Sequence, residues 1–264
     1  MEICEQKQAF VFDEEEDDLV FHHTKIILRQ GDQYFYATTN QRIRASSDID
    51  INKVHIKPIL TDHISPVVDD PAKFTQAPDP LPNDCYLKQP CLIHYDEDTE
   101  ASRHPGDLVL HEAEICEILI KNPHPNIVQY LGCILEKDRD NISSIKGLCF
   151  VKYLKSLEQR LREEKEETPL DRQKCLAGIE KGMKHLHGLG LVHNDLNPSN
   201  VMMDAQDNLV IIDFDSCQPE FGKLGLKGGT EGWTMGGNTA KRENDLYSLS
   251  KIREWMIASE PISK

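Results

Sequence analysis

The sequence lacks a Cys-x-x-Cys pair, a basic and apolar N-terminal leader, and any apolar run approaching about 18 residues. These absences argue against a zinc ribbon, a secreted chain and a membrane-spanning helix. Positive charge is also scarce: 30 Lys+Arg stand against 45 Asp+Glu, for a formal net charge of −15. A chain this acidic repels phosphate backbones and anionic lipid, so neither nucleic acid nor a membrane surface is an expected partner. Aromatic residues make up only 6%. The eight cysteines fall at 4, 85, 91, 116, 133, 149, 175 and 217, and the last five are flanked by apolar residues. They read as free thiols, mostly buried, of a reducing compartment. The expectation is a soluble intracellular protein, cytoplasmic or nuclear.

What is present is a chain of 264 residues, long enough for one large or two small domains at roughly 150 residues each. Residues 13–18 are an unbroken acidic run, and self-repulsion predicts a solvated tail over residues 1–18. Lys25–Leu28 and Tyr34–Thr38 are β-rich and flank Gln30-Gly31-Asp32-Gln33, which predicts a hairpin. Six prolines between Pro66 and Pro90 predict an extended connector with one short strand, Cys85–Lys88. A helix is predicted over about 108–121, then strands over 127–134 and 147–153 separated by a polar loop at Glu136–Ser144. Ser156-Leu157-Glu158-Gln159 is a capping box, and Thr168-Pro169-Leu170-Asp171 resembles a second with Pro at the first helical position. In the helix that follows, Leu176, Ile179, Met183 and Leu186 form one apolar stripe.

The chemistry is concentrated in Leu191–Val201, which holds His193-Asn194-Asp195-Leu196-Asn197 and Asn200. Two short apolar strands follow, 201–203 and 209–212, and the second runs directly into Asp213-Phe214-Asp215. Asp195, Asn200 and Asp213 therefore sit at the ends of adjacent segments, able to converge. Three oxygen donors without Cys or His suit a hard cation such as Mg²⁺ held jointly with phosphate oxygens. His185, His187 and His193 have no usual zinc spacing.

The pattern resembles the protein kinase superfamily. The catalytic loop His-Arg-Asp-Leu-x-x-x-Asn is echoed by His193-Asn194-Asp195-Leu196 with Asn200, and Asp-Phe-Gly by Asp213-Phe214-Asp215. His124–Gly132 is similar to the turn and strand after the helix αC of kinases, Gly229-Thr230-Glu231-Gly232-Trp233 to the end of an activation segment, and Glu243–Leu249 to the start of helix αF. The resemblance spans about residues 85 to 256 and implies an α+β, two-lobed kinase-like fold: an antiparallel β N-lobe with one helix over residues 19–150 and a shortened helical C-lobe over 151–264. The implied function is ATP-dependent transfer of phosphate to a protein substrate, with ATP and Mg²⁺ as cofactors. Asp195 would orient the attacking hydroxyl, Asn200 and Asp213 would hold Mg²⁺, and Lys88 would neutralise the α/β-phosphates. Glu114 would pair with Lys88, although Glu112 and Glu117 lie within a turn of it. Val151-Lys152-Tyr153 would face adenine as the hinge, with Val151 and Tyr153 as binding residues, and Asp245 would brace the catalytic loop.

Some positions depart from the pattern. Of fifteen glycines only Gly31 precedes Lys88, so the glycine-rich loop over the phosphates is absent. Asn194 replaces the catalytic-loop Arg, so activity independent of loop phosphorylation is expected. Asn197 stands where Ser/Thr kinases usually place a Lys, and Asp215 replaces Gly. Only 19 residues follow Asp245, so the last helices of a full C-lobe are not expected. The reading is a Ser/Thr-type protein kinase. The alternatives are a pseudokinase that acts by binding, and a small-molecule phosphotransferase of the aminoglycoside or choline kinase type, which Ile212-Asp213-Phe214-Asp215 also fits.

Overall fold

The chain enters an antiparallel sheet at its second residue. The computed structural model describes residues 1–13, 17–43, 50–95, 105–164, 169–225 and 227–259. They group into two units: Met1–Val67 with Pro90–Leu108, and Val68–Gln89 with Val109–Lys264. Residue 150 falls within the second unit. In the first unit Ile27, Tyr36 and Ile59 share a core with Leu92 and Tyr95, and one core of the second holds Ile145 and Leu148 together with Leu157 and Ile179.

In the first unit, β1 (Glu2–Asp13), β2 (Asp18–Gln30), β3 (Gln33–Thr39) and β4 (Ile56–Ile59) form an antiparallel sheet in the order β1-β2-β3-β4. A short helix, α1 (Thr61–Ile64), follows. The predicted hairpin is present: Ile26 lies opposite Ala37 and Gln30 opposite Gln33, with Gly31 at φ +62° in the turn. That conformation is open to glycine at no steric cost. The expected solvated tail is corrected. Residues 2–13 pair along their length with β2, from Glu2 opposite Arg29 to Asp13 opposite Asp18. The described ends of the acidic run, Asp13 and Asp18, close that pairing opposite one another. Residues 14–16 of the run lie outside the described residues. Ile26, Ile27 and Leu28 are all buried because β2 is covered on both faces: Ile27 packs with Tyr36, Ile59, Leu92 and Tyr95, and Ile26 and Leu28 with Ile43.

The second unit contains β5 (Cys85–Lys88), α2 (Pro105–Ile120, from Val109 onward), β6 (Tyr130–Lys137) and β7 (Ser143–Val151), with the antiparallel order β5-β7-β6. The strand predicted at 127–134 begins only at Tyr130, because Ile127 bridges to Ile211 and Val128 N–H donates to the Ile211 carbonyl at 3.0 Å. The polar loop is shorter than expected, closed by Asp138 Oδ1, which accepts from the N–H groups of Asp140 and Ile142. Next come β8 (Lys155–Ser156), α3 (Leu157–Arg162), α4 (Arg172–Gly188), β9 (Leu191–Val192), β10 (Val201–Met203), β11 (Leu209–Ile211), β12 (Gln218–Pro219) and α5 (Arg242–Ala258). The Ser156–Gln159 capping box forms at α3. At α4, Asp171 is the cap, accepting from Lys174 N–H at 2.9 Å, so Pro169 precedes the helix instead of opening it; Thr168 lies outside the described residues. Ile179, Met183 and Leu186 of α4 pack into one core with Leu196, Ile211, Phe214 and Ile252, and Leu176 is partly buried at its edge. All eight cysteines are free, and Cys116, Cys133, Cys149, Cys175 and Cys217 are buried. Among the described residues no helix is long and apolar enough to cross a membrane.

Candidate active site

The loop between β9 and β10 is fixed from beneath by one carboxylate. Asp245 on α5 is 0% exposed. It accepts from the backbone N–H groups of His193 (3.0 Å) and Asn194 (2.8 Å) and pairs with His187 Nε2 at 2.8 Å. Leaving it out would orphan buried donors, so this carboxylate holds the loop in one conformation. Asn194 sits at φ +64°, a left-handed conformation that Asn tolerates better than most residues. Its amide donates to the carbonyls of Val192 and Ser216 and accepts from Asn244 Nδ2. Position 194 is therefore a buried cross-link and offers no cation to the surface. His193 accepts from Asp195 N–H at Nδ1 (3.3 Å) and meets the Ile212 carbonyl at Nε2 (3.0 Å); since a carbonyl only accepts, Nε2 carries the proton.

Above this base, Asp195 is held on both oxygens. Oδ1 accepts from the Thr230 N–H and hydroxyl, each at 2.7 Å, and from Asn197 Nδ2 at 3.2 Å; Oδ2 accepts from Asn200 Nδ2 at 3.1 Å. Because the Asn200 amide nitrogen faces Asp195, also donating to its carbonyl at 2.9 Å, the amide oxygen is the atom left to ligate. Asn197 is enclosed: its Oδ1 accepts from the N–H groups of Ser199 and Asn200.

Lys88 Nζ lies 2.5 Å from Glu112 Oε2, 2.5 Å from Asp213 Oδ1 and 3.7 Å from Asp215 Oδ2. The partner from α2 is thus Glu112 and not Glu114. At about 100° per residue the two glutamates point to opposite sides of the helix, and Glu114 is exposed. Glu117 is engaged elsewhere, accepting from Thr75 N–H and hydroxyl at 2.7 and 2.9 Å. Burial pushes the Glu112 carboxyl up, to about 7, against the pull of Lys88. Burial alone would lower the Lys88 ammonium, but Glu112, Asp213 and Asp215 outweigh it and hold it well above its ordinary value. Asp213, at φ +67°, is opposed by burial, yet Lys88 and Lys227 keep its carboxyl below the usual carboxylate range.

Sequence reasoning missed Lys227. Its ammonium is 2.8 Å from both oxygens of Asp215, 3.2 Å from Asp213 Oδ2 and 3.9 Å from Asp195 Oδ2. Its signal in the sequence is slight: a lysine before Gly228-Gly229, just ahead of the recognised 229–233 segment.

A cavity of about 400 Å³ runs from this ionic cluster to β7; Lys88, Glu112, Asn200 and Asp213 line its polar end, and Val128, Phe150, Val151, Tyr153, Met202 and Ile212 its apolar part. Val151 and Tyr153 both lie on the cavity wall. The Val151 N–H donates to the Gln129 carbonyl and that of Lys152 to the Asp84 carbonyl, so these two N–H groups are engaged within the fold.

With this geometry, a family model described as "Protein kinase domain" matches residues 93–234, just over half of the chain. The chain belongs to the protein kinase family. Similar curated kinases include the serine/threonine-protein kinase SSK22 of Saccharomyces cerevisiae, 29% identical over 127 residues (47% of this chain and 9% of that protein). The serine/threonine-protein kinase shk2 of Schizosaccharomyces pombe is 27% identical over 163 residues (59% and 26%). A G-type lectin S-receptor-like serine/threonine-protein kinase of Arabidopsis thaliana, At1g61500, is 26% identical over 167 residues (56% and 20%). The chain thus matches about a quarter or less of the length of these relatives.

Proposed function

We propose that the protein is an ATP-dependent protein kinase of the Ser/Thr type, which transfers the γ-phosphate of Mg-ATP to a protein hydroxyl. The observation that carries this reading is a cavity with Lys88, Asn200 and Asp213 at its charged end, where Asn200 in turn donates to Asp195 Oδ2. The apolar part suits a purine ring, and the charged end suits phosphates. A hydroxyl oxygen attacks the γ-phosphorus, the bond to the β–γ bridging oxygen breaks, ADP leaves, and the hydroxyl proton passes to Asp195. Asp195 is suited to this role because Thr230, Asn197 and Asn200 fix both its oxygens, and phosphoryl transfer depends more on placement than on base strength. Lys88, kept in place by Glu112, would face the α/β-phosphates.

The donor set fits Mg²⁺. The donors are carboxylate and amide oxygens of Asp213, Asp215 and Asn200, and a cation, the Lys227 ammonium, already lies between the two carboxylates. No group of three or more His, Cys, Asp or Glu able to hold an ion unaided occurs among the described residues. That matches a cation bound jointly with substrate phosphates, not in an all-protein cage. When bound, Mg²⁺ would neutralise charge developing on the phosphate oxygens.

The test is transfer of labelled γ-phosphate from ATP to a protein acceptor by the wild type and by Asp195→Asn. Label on protein that vanishes in the variant supports the reading, and label only on small molecules contradicts it. A binding-only role is favoured by one observation: β5 ends its sheet with no strand on its outer edge among the described residues, where a phosphate-covering hairpin would lie.

A further inference from the structure

Asn197 offers the cleft no charge, since its amide is consumed by Asp195, Thr230, Ser199 and Asn200, and Asn194 is a buried cross-link. Among the described residues, apart from Lys88, the cation within reach of Asp195 and Asp213 is Lys227, brought in by a different segment. Its placement is built into the fold. Three residues on, Thr230 docks on Asp195 through both its N–H and its hydroxyl. Between them, Gly229 lies so close that a Cβ there would stand 2.5 Å from the Asn194 carbonyl oxygen; only glycine permits that approach.

We infer that Lys227 is the residue that contacts the transferring phosphate, supplying from the 227–230 segment the charge that position 197 lacks. This rests on the phosphotransfer reading above. In the structure the ammonium bridges Asp213 and Asp215. A divalent ion held by those carboxylates would repel it, and the flexible four-carbon stem would let the ammonium turn to the nearest new anion. That anion is the terminal phosphate arriving with the ion. The contact exists with a nucleoside triphosphate and not with a diphosphate.

The test is calorimetric binding of Mg-ATP and Mg-ADP to the full chain, as wild type, Lys227→Met and Lys227→Arg. A charge-assisted contact to one phosphate predicts that Lys227→Met weakens ATP about ten- to a hundredfold and leaves ADP within about twofold, with Lys227→Arg keeping most of the preference for ATP. Tighter binding of both nucleotides by Lys227→Met would mean that the lysine only competes with the metal, and overturns the inference. Unchanged binding of both overturns it too. A wild type that binds neither nucleotide overturns the phosphotransfer reading itself, and the inference with it. A second measurement needs no variant: acylation of the Lys227 amine by a succinimidyl ester should rise with Mg-ADP, which frees it, and fall with Mg-ATP, which engages it. Equal labelling in the two complexes contradicts the contact.

Discussion

The loop that carries Asp195 and the cavity wall that carries Lys88 differ in how many partners fix them. Asp195 is held by three side chains and a backbone N–H, on a loop that is itself pinned by Asp245 from α5. Lys88 ends a four-residue strand bonded on one side to β7, and its ammonium is placed by charge, between Glu112 and Asp213. The loop is positioned by hydrogen bonds that tolerate little movement, the wall by ionic attraction to Glu112 and Asp213. The lesson is that one side of a site can be fixed by directional hydrogen bonds while the facing side is placed by charge.

Substitutions can break or sharpen this contrast. The largest effect is expected from Asp195→Asn, which preserves shape and removes the proton acceptor: phosphate transfer should fall by about 10²–10⁴-fold in a labelled-phosphate assay. Asp245→Ala should act on folding instead, leaving the His193 and Asn194 N–H groups and His187 without their acceptor. A loss of about 3 kcal/mol or more in denaturant unfolding is expected. On the ionic wall, Glu112→Gln should weaken nucleotide binding about tenfold by loosening Lys88, read by calorimetry. Glu114→Gln, one turn face away and exposed, should change stability and binding by less than about 0.5 kcal/mol. If the two glutamates gave equal effects, placement of Lys88 by α2 would be wrong.

Much of the hydrogen-bonded loop was legible in the sequence. Asp195 and Asn200 lie between short strands whose turns leave little choice of path, and Asp245 lies in a recognisable Glu243–Leu249 segment. The ionic wall was harder to read. Three glutamates within six residues of one helix differ only in the face they take, and that face is set by packing of Ile115, Cys116 and Leu119, so Glu112 could not be separated from Glu114 by spacing. Lys227 was illegible because its role depends on Gly229 packing against Asn194 across the fold. The first strand was hidden by charge: the acidic run at 13–18 suggested a tail, while pairing with β2 is decided upstream by residues such as Ile3, opposite Leu28, and Phe10, opposite Phe21. Val151 lies on the cavity wall, and the partner of its N–H, the Gln129 carbonyl, is one that no local pattern reveals.

The central claim is that the Lys88–Asp213 cluster binds a magnesium nucleotide. The direct test is thermal unfolding of the full chain with Mg-ATP, with Mg²⁺ alone and with ATP plus chelator, repeated on Asp213→Asn, a change that the left-handed backbone at 213 accommodates. A ligand at 100 times its Kd adds about 2.7 kcal/mol, which is roughly 5–10 °C for a chain of this size. The account predicts such a rise for Mg-ATP in the wild type and none in Asp213→Asn. No rise in the wild type at any ATP concentration, or an equal rise in both proteins, would contradict it.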